Sequence, residues 1–150
     1  MIFKMEESHE SVDLEQINAC EAKLSFKFPD LYKNFLLCQN GGVPANCLFR
    51  YDETKTGCVG CFFGVNLGSS SMDLENNAEV YKDRIPRGFF PIAEDPGGNI
   101  ICAGLTDNVP IFFWFHEAET SPPTMKNMYF VSNSFEKFLE ELEPDEGEEW

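Results

Sequence analysis

The stretch PIAEDPGGNIIC, residues 91–102, holds side chains whose types and spacing could do chemistry. Asp95 and Asn99 enclose a Pro-Gly-Gly segment, which suits a phosphate-binding loop, a metal loop, a carboxylate site or a tight turn. A phosphate-binding loop leads from a strand into a helix, whereas IICAGL after Asn99 has the pattern of a strand, and no Lys-Ser or Lys-Thr pair follows it. We therefore predict a hairpin turn, and whether the acids Glu94 and Asp95 face a partner stays open at this point.

Three other groupings could support catalysis or hold a metal. Glu94 and Asp95 are adjacent, so a strand would direct them to opposite faces, and they form a poor pair for glycoside hydrolysis. The single C-x-x-C at 58–61 lacks the second pair of a zinc site and continues into a strand pattern, so we predict core cysteines there. Cys102 and His116 could form a nucleophile pair, but no hydrolase signature surrounds them. We predict no catalytic residue, no metal site and no cofactor, with an uncharacterised hydrolase as the third-ranked function.

The charge balance bears on the kind of partner. The chain has 150 residues and a formal net charge of −15, with seven acids and no base in its last twelve residues. An acidic surface repels nucleic-acid phosphates and anionic membranes and attracts basic proteins, although solubility alone is the alternative explanation. We predict a basic protein partner, no nucleic acid and no membrane, while the oligomeric state is not fixed. Residues 1–143 are assigned to one domain and residues 144–150 to a flexible acidic tail.

The N-terminal segment and the six cysteines bear on the cellular compartment. The opening residues MIFKMEESHES lack the apolar stretch of a signal peptide. No run of about eighteen apolar residues could span a membrane. We therefore predict a cytoplasmic protein whose thiols are reduced.

Hydrophobic periodicity predicts an α+β fold, with a mostly antiparallel sheet of about six strands flanked by N-terminal helices and a C-terminal helix. Helices are expected from about Leu14 to Lys27, around Leu31–Leu36, in part of 68–85, and from Phe135 to Leu142. Asp13 with Gln16, and Asn133 with Glu136, resemble capping boxes. Strands are expected at 46–51, 58–65, 88–94, 99–105, 109–117 and 127–132. Their short connections indicate antiparallel pairing, because parallel pairs need long crossovers.

The segment PIFFWFHE, residues 110–117, is rich in aromatic side chains. Alternation along a strand would place Phe112, Trp114 and His116 on one face and the residues between them on the other. One aromatic face must belong to the core. The other face is either core beneath a helix or a partly exposed binding surface.

Four fragments of the chain, taken in order, resemble a known family. They contain Glu21, Leu24, Phe28-Pro29-Asp30, Tyr32, Phe35-Leu36 and Asn40-Gly41-Gly42, then Ile85-Pro86, Phe90-Pro91-Ile92-Ala93, Asp95, Gly98 and Asn99, then Trp114, and finally Ser134-Phe135 and Phe138-Leu139. Together they span about residues 13–142 and resemble the SUKH superfamily. The resemblance implies an α+β domain without catalytic machinery. Many members of the family are immunity proteins that bind and neutralise toxin domains, often nucleases, and others are adaptor or regulatory proteins.

The resemblance and the acidity together predict an immunity protein that binds a bacterial toxin domain stoichiometrically and occludes it, because an acidic inhibitor is steered to a basic target. An intracellular adaptor of the same fold is the alternative. The predicted partner-binding residues are Glu94, Asp95, Asn99, Trp114, His116 and Glu117. The acids would meet basic residues of the toxin, and Trp114 would supply an apolar anchor.

Overall fold

The computed structural model describes residues 4–145. In this range the chain forms ten short strands in two sheets, and four α-helices pack against them. The α+β class and the antiparallel pairing predicted from the sequence are confirmed. The number of strands exceeds the predicted six because several strands are only two to four residues long, too short to show an alternation of polar and apolar residues. The helices are α1 (Leu14–Leu24), α2 (Asp30–Cys38), α3 (Leu74–Tyr81) and α4 (Phe135–Glu141).

Seven strands form the main sheet, and the sites discussed below lie at one end of it. Its strands, in spatial order, are β1 (Met5–Ser8), β2 (Gly42–Pro44), β5 (Cys61–Phe62), β6 (Phe89–Glu94), β7 (Ile100–Gly104), β8 (Ile111–Trp114) and β9 (Met128–Ser132). From β6 to β9 each strand pairs with the next along the chain. The connections from β6 to β7 and from β7 to β8 are short, which predicts this antiparallel pairing.

Three strands form a small sheet, in the order β10 (Glu143–Pro144), β3 (Asn46–Arg50) and β4 (Thr56–Cys58). The strand β10 takes in Pro144, the first residue of the predicted acidic tail. Residues 146–150 of that predicted tail lie outside the described residues.

The segment 58–65 does not form the single strand predicted from the sequence but divides between the two sheets. The chain bends at Gly60, whose N–H donates to the carbonyl oxygen of Glu94 at 2.8 Å. A Cβ atom at position 60 would lie 3.1 Å from that same oxygen, so the bend depends on the close backbone approach that glycine permits.

Local hydrogen bonds set where two of the helices begin. The predicted capping box of α1 is confirmed: the Gln16 N–H donates to Asp13 Oδ1, and the Asp13 N–H donates to Gln16 Oε1, both at 2.9 Å. The predicted box at Asn133 is wrong by one residue, because Ser134 caps α4 by accepting from the Lys137 N–H at 3.1 Å. Ser is as good a cap as Asn, so the sequence alone did not separate the two positions.

One face of the main sheet packs against helix α2 and the small sheet. Phe90 in β6 contacts Phe28 and Tyr32, with ring centroids 5.4 and 5.1 Å apart. Phe113 in β8 meets Phe49 of β3 edge-to-face at 5.0 Å. The hydrophobic core therefore lies mainly on this face.

The other face is covered only in part. Tyr81 at the end of α3 covers Trp114, with ring centroids 5.5 Å apart. Phe112 lies between Phe89 and Phe130, and Phe130 is 56% exposed. The second aromatic face is thus core beneath a helix at Trp114 and partly open at Phe130.

Within residues 4–145, none of the helices has the length and apolar character needed to cross a lipid bilayer.

Candidate functional site

The predicted hairpin turn joins β6 to β7, and the Asp95 carboxylate holds it closed. Asp95 Oδ1 accepts from the N–H groups of Gly97 at 2.9 Å and Asn99 at 2.7 Å, and Oδ2 accepts from Asn99 Nδ2 at 3.0 Å. Gly98 has a φ of 90°, which favours glycine. Much of the hydrogen-bonding capacity of Asp95 is therefore used inside the turn.

His116 fastens this turn to the segment that follows β8. Its backbone N–H donates to Asn99 Oδ1 at 3.1 Å, and its Nε2 lies 3.1 Å from the carbonyl oxygen of Gly97. His116 also begins a short 3-10 helix, His116–Ala118, which places the exposed Glu117 beside the turn. The structure thus brings together Asp95, Asn99, His116 and Glu117 at one end of the main sheet, which we call the hairpin end.

Glu94, the last residue of β6, is half-buried at this hairpin end. No hydrogen bond or ion pair engages its carboxylate within the described part of the chain. Burial raises the pKa of this carboxyl group, and the neighbouring charge of Asp95 raises it further. A carboxylate in this setting carries an electrostatic penalty that a nearby cation would relieve.

Two acids after β8 differ in whether they are paired. Glu119 receives two hydrogen bonds from the Arg84 guanidinium, both at 2.9 Å, and these bonds lower the pKa of Glu119. Glu117 is exposed and has no such partner among residues 4–145. Glu117 is therefore the more available of the two for a partner.

Trp114 does not provide the apolar anchor predicted for it. Its side chain is fully buried, beneath Tyr81 and with the Arg84 guanidinium carbon 5.5 Å from the centre of its ring. Its Nε1 has no hydrogen-bond acceptor in the described part of the chain. The alternation of the strand assigned Trp114 to a face, but it gave no information on the helix that covers that face.

Two comparisons with known proteins relate this architecture to a family. The profile of the SMI1 / KNR4 family (SUKH-1) matches residues 11–141. The chain belongs to this family. It is also similar to "SPbeta prophage-derived uncharacterized protein YokK" of Bacillus subtilis (strain 168), with 32% identity over 155 residues that cover 89% of this chain and 77% of that protein. The family resemblance drawn from four sequence fragments is confirmed.

SUKH-1 membership supports a protein-binding or immunity-type domain in general, and the family is generally non-enzymatic. The structure does not bring Cys102 and His116 together as a nucleophile pair. Cys102 is fully buried in β7 opposite Phe112, its burial raises its pKa, and His116 lies four residues beyond Phe112. Among the residues that the structure describes, no group of three or more His, Cys, Asp or Glu side chains could hold a metal ion.

Two polar residues of the SUKH-1 motif are buried and hold loops in place. Glu21 Oε2 accepts from the Phe28 N–H at 2.7 Å, and its Oε1 lies 3.0 Å from Lys33 Nζ. Asn40 accepts from the Val65 N–H at 2.7 Å and donates to the Val65 carbonyl oxygen at 2.8 Å. These motif residues therefore maintain the fold.

The sequence did not indicate that the acidic C-terminal segment begins in the small sheet, paired with β3. The pKa of Cys58 is raised by burial, then by a hydrogen bond to Cys47, and also by the charges of Asp145 and Asp95. Both acids therefore act on the same thiol. The two-residue strand β10 pairs this segment with β3, and so short a strand has no recognisable sequence signal.

Proposed function

We propose that this SUKH-1 protein is an immunity protein that neutralises a basic toxin domain by binding it stoichiometrically through the hairpin end. The observation that carries the proposal is the uncompensated carboxylate of Glu94. Its pKa is raised, and no basic side chain of the described residues pairs with it. Carboxyl groups with shifted pKa values concentrate at functional sites. A side chain that lowers the stability of the fold is retained where the function requires it.

The surroundings of Glu94 favour a cationic partner. Glu117 is exposed and follows His116, which contacts the same turn, and the charge of Asp95 already raises the pKa of Glu94. A Lys or Arg from a partner would lower the pKa of Glu94 and replace the water lost on burial with a charge-assisted hydrogen bond. The overall charge of −15 would also speed the encounter with a basic protein.

The predicted site residues divide into two roles in this proposal. Glu94 and Glu117 would contact the partner. Asp95, Asn99 and His116 are engaged with one another and hold the turn, so they act as positioning residues. A surface that is already ordered loses less conformational entropy on binding.

The test uses the toxin domain encoded beside this gene in the source genome, co-expressed with the protein and then titrated against it in vitro. We expect growth to be rescued and a defined complex to form. The double variant Glu94→Lys/Glu117→Lys should weaken binding by about tenfold or more, because it places like charges against the partner.

The matched control is Asp107→Lys/Glu136→Lys, which makes the same change in net charge at two exposed positions. Glu136 lies near Asp107, because the Phe135 N–H donates to the Asn108 carbonyl oxygen at 3.2 Å. Asp107 lies in the turn between β7 and β8, at the opposite end of the main sheet from the Asp95 turn. At about 0.15 M salt the control should bind within about threefold of the wild type, because screening limits distant charges. Equal weakening in both double variants would contradict this placement. Absence of a toxin gene, or of rescue, would favour the adaptor.

A further inference from the structure

Two half-buried cysteines face each other where β3 begins and β4 ends. The Sγ atoms of Cys47 and Cys58 lie 3.1 Å apart, and both residues are free thiols. The sulfur atoms of a disulfide lie about 2.05 Å apart, so a movement of about 1 Å would bring this pair to bonding distance. This pair took no part in the function proposed above.

The backbone places Cys47 and Cys58 at diagonal positions where the β3–β4 ladder ends. Cys58 is the Cα partner of Leu48, and the Val59 N–H donates to the Cys47 carbonyl oxygen at 2.8 Å. Cys47 and Cys58 are therefore neighbours at the end of an antiparallel ladder. The closeness of the two thiols is therefore shown by the 3.1 Å between their Sγ atoms, and not by direct opposition of the two residues in the ladder.

We propose that Cys47 and Cys58 form a site of reversible oxidation, at which a low-molecular-weight disulfide such as oxidised glutathione converts the two thiols into an intramolecular disulfide. First, one protein thiolate attacks a glutathione sulfur, the glutathione disulfide breaks, and one glutathione thiolate leaves. The second protein thiolate then attacks the protein sulfur of the mixed disulfide and releases the second glutathione. In total the two protein thiols lose two electrons and two protons, and one oxidised glutathione becomes two reduced molecules.

The hydrogen bond between the thiols orders these two steps. Cys58 donates to Cys47 Sγ, so the Cys58 proton lies between the two sulfur atoms. Burial and this hydrogen bond raise the pKa of Cys58 to about 12. Cys47 therefore attacks first and Cys58 resolves the mixed disulfide. The rate should rise with pH, because the thiolate is the reactive form.

The other cysteines do not share this arrangement. Cys61, which completes the C-x-x-C, donates to the Phe62 carbonyl oxygen at 3.2 Å and lies 3.9 Å from His9 Nε2. Burial raises the pKa of Cys61 to about 11 and that of Cys20 to about 12. The prediction of a core cysteine therefore holds for Cys61 but not for the half-buried Cys58.

The experiment uses the full chain with Cys38→Ser, which removes the exposed thiol and with it cross-linking between molecules. The protein is equilibrated in glutathione buffers of graded ratio, quenched with acid, unfolded, alkylated with N-ethylmaleimide and weighed. This variant keeps five cysteines, so the reduced form takes five labels. We expect an oxidised form with three labels that dithiothreitol converts back to five.

A peptide map identifies which sulfurs are joined. Cleavage after Lys and Arg places Cys47 in the peptide 34–50 and both Cys58 and Cys61 in the peptide 56–82. These two peptides should become linked, and fragmentation of the linked pair should show the N-ethylmaleimide label on Cys61. Oxidation should also raise Tm by about 5 °C, because the disulfide closes a short loop of the unfolded chain.

Matched variants separate this pair from the C-x-x-C. When Cys47→Ser or Cys58→Ser is added to the Cys38→Ser protein, oxidation should no longer remove two N-ethylmaleimide labels, and at most one glutathione adduct should form. When Cys61→Ser is added instead, oxidation should still remove two labels. Five labels at every glutathione ratio, or a link between Cys58 and Cys61, would overturn the proposal. If a serine variant fails to fold, the peptide map of the parent protein gives the same decision.

Discussion

Asp95 and Asn99 close the hairpin turn together, because the Asp95 carboxylate accepts from both the backbone and the side-chain nitrogen of Asn99, at 2.7 and 3.0 Å. Asn99 Oδ1 in turn accepts from the backbone N–H of His116 at 3.1 Å. One chain of polar contacts therefore runs from the β6–β7 turn to the end of β8. It fixes the acidic hairpin end in one arrangement before any partner is present.

Replacing Asp95 with Ala should loosen this turn. The change removes an acceptor of three hydrogen bonds, so we expect a loss of roughly 1–2 kcal/mol in the free energy of unfolding, measured by urea denaturation. The amide of His116 should also exchange faster with solvent. The control Asp52→Ala removes an exposed carboxylate with one long contact, 3.4 Å to the Thr54 nitrogen, and should cost less than about 0.5 kcal/mol. Equal costs would contradict this account of the turn.

The buried carboxylate of Glu21 should contribute more to the free energy of unfolding than a surface ion pair does. Only 7% of its side chain is exposed, and Glu21→Ala would leave both the Phe28 N–H and the Lys33 ammonium without their acceptor. We expect a loss of about 3 kcal/mol in the free energy of unfolding. Glu21→Gln should cost less, because an amide oxygen can still accept from Phe28.

The control for Glu21 is the ion pair of exposed Lys23 with half-buried Glu75, whose charged atoms are 3.8 Å apart. Glu75→Ala should change the free energy of unfolding by less than about 1 kcal/mol, because exposed ion pairs contribute little. A Glu21→Ala protein as stable as the Glu75→Ala protein would show that the buried contacts are not needed.

The elements that the sequence predicted correctly depend on local interactions. The capping box of Asp13 and Gln16 is complete within four residues, and the hairpin turn is set by Asp95 and Asn99, so both can be inferred from short segments. By contrast, the division of 58–65 depends on Gly60 approaching Glu94 from a distant part of the chain. Such a contact leaves no pattern in either segment.

The predicted site likewise contains residues whose positions follow from neighbouring elements and residues whose positions depend on distant contacts. Its members on the turn and after β8 come together because consecutive strands pair, which the sequence indicates. The burial of Trp114 depends instead on where α3 crosses the sheet, and the contact of Cys47 with Cys58 depends on a three-residue strand. Neither is visible in hydrophobic periodicity.

Trp114 should behave as a core residue and Phe130 as a surface residue in stability measurements. Trp114 is fully buried, so Trp114→Ala should cost roughly 3–5 kcal/mol in the free energy of unfolding. Phe130 is 56% exposed, so Phe130→Ala should cost less than about 1 kcal/mol. Trp114→Phe should cost less than Trp114→Ala, because Nε1 has no acceptor among residues 4–145. A larger loss for Phe130→Ala would contradict the assignment of the two faces.

Glu94 should make the protein less stable at neutral pH than it is under mildly acidic conditions. Burial and the charge of Asp95 raise its pKa in the folded state, so the folded protein holds the proton more tightly than the unfolded chain does. This tighter proton binding adds to the free energy of unfolding. The gain is complete below the pKa that Glu94 has in the unfolded chain, and it is lost as the pH rises through the pKa that Glu94 has in the folded protein. Glu94→Gln removes this loss and should therefore have a higher Tm than the wild type at pH 7. The difference should shrink at pH 5, where the wild-type carboxyl group is more fully protonated.

The control for Glu94 is Asp107→Asn, which removes one exposed negative charge at the opposite end of the main sheet. Tm of the three proteins would be measured by calorimetry at pH 7 and pH 5 in the same salt concentration. Both substitutions relieve the general repulsion in a chain of net charge −15, so only a larger gain in Glu94→Gln reports the local penalty. Equal gains in both variants would show that Glu94 bears no special cost. The Glu94 carboxylate would then be an ordinary surface charge, and the hairpin end would have no uncompensated carboxylate to attract a cationic partner.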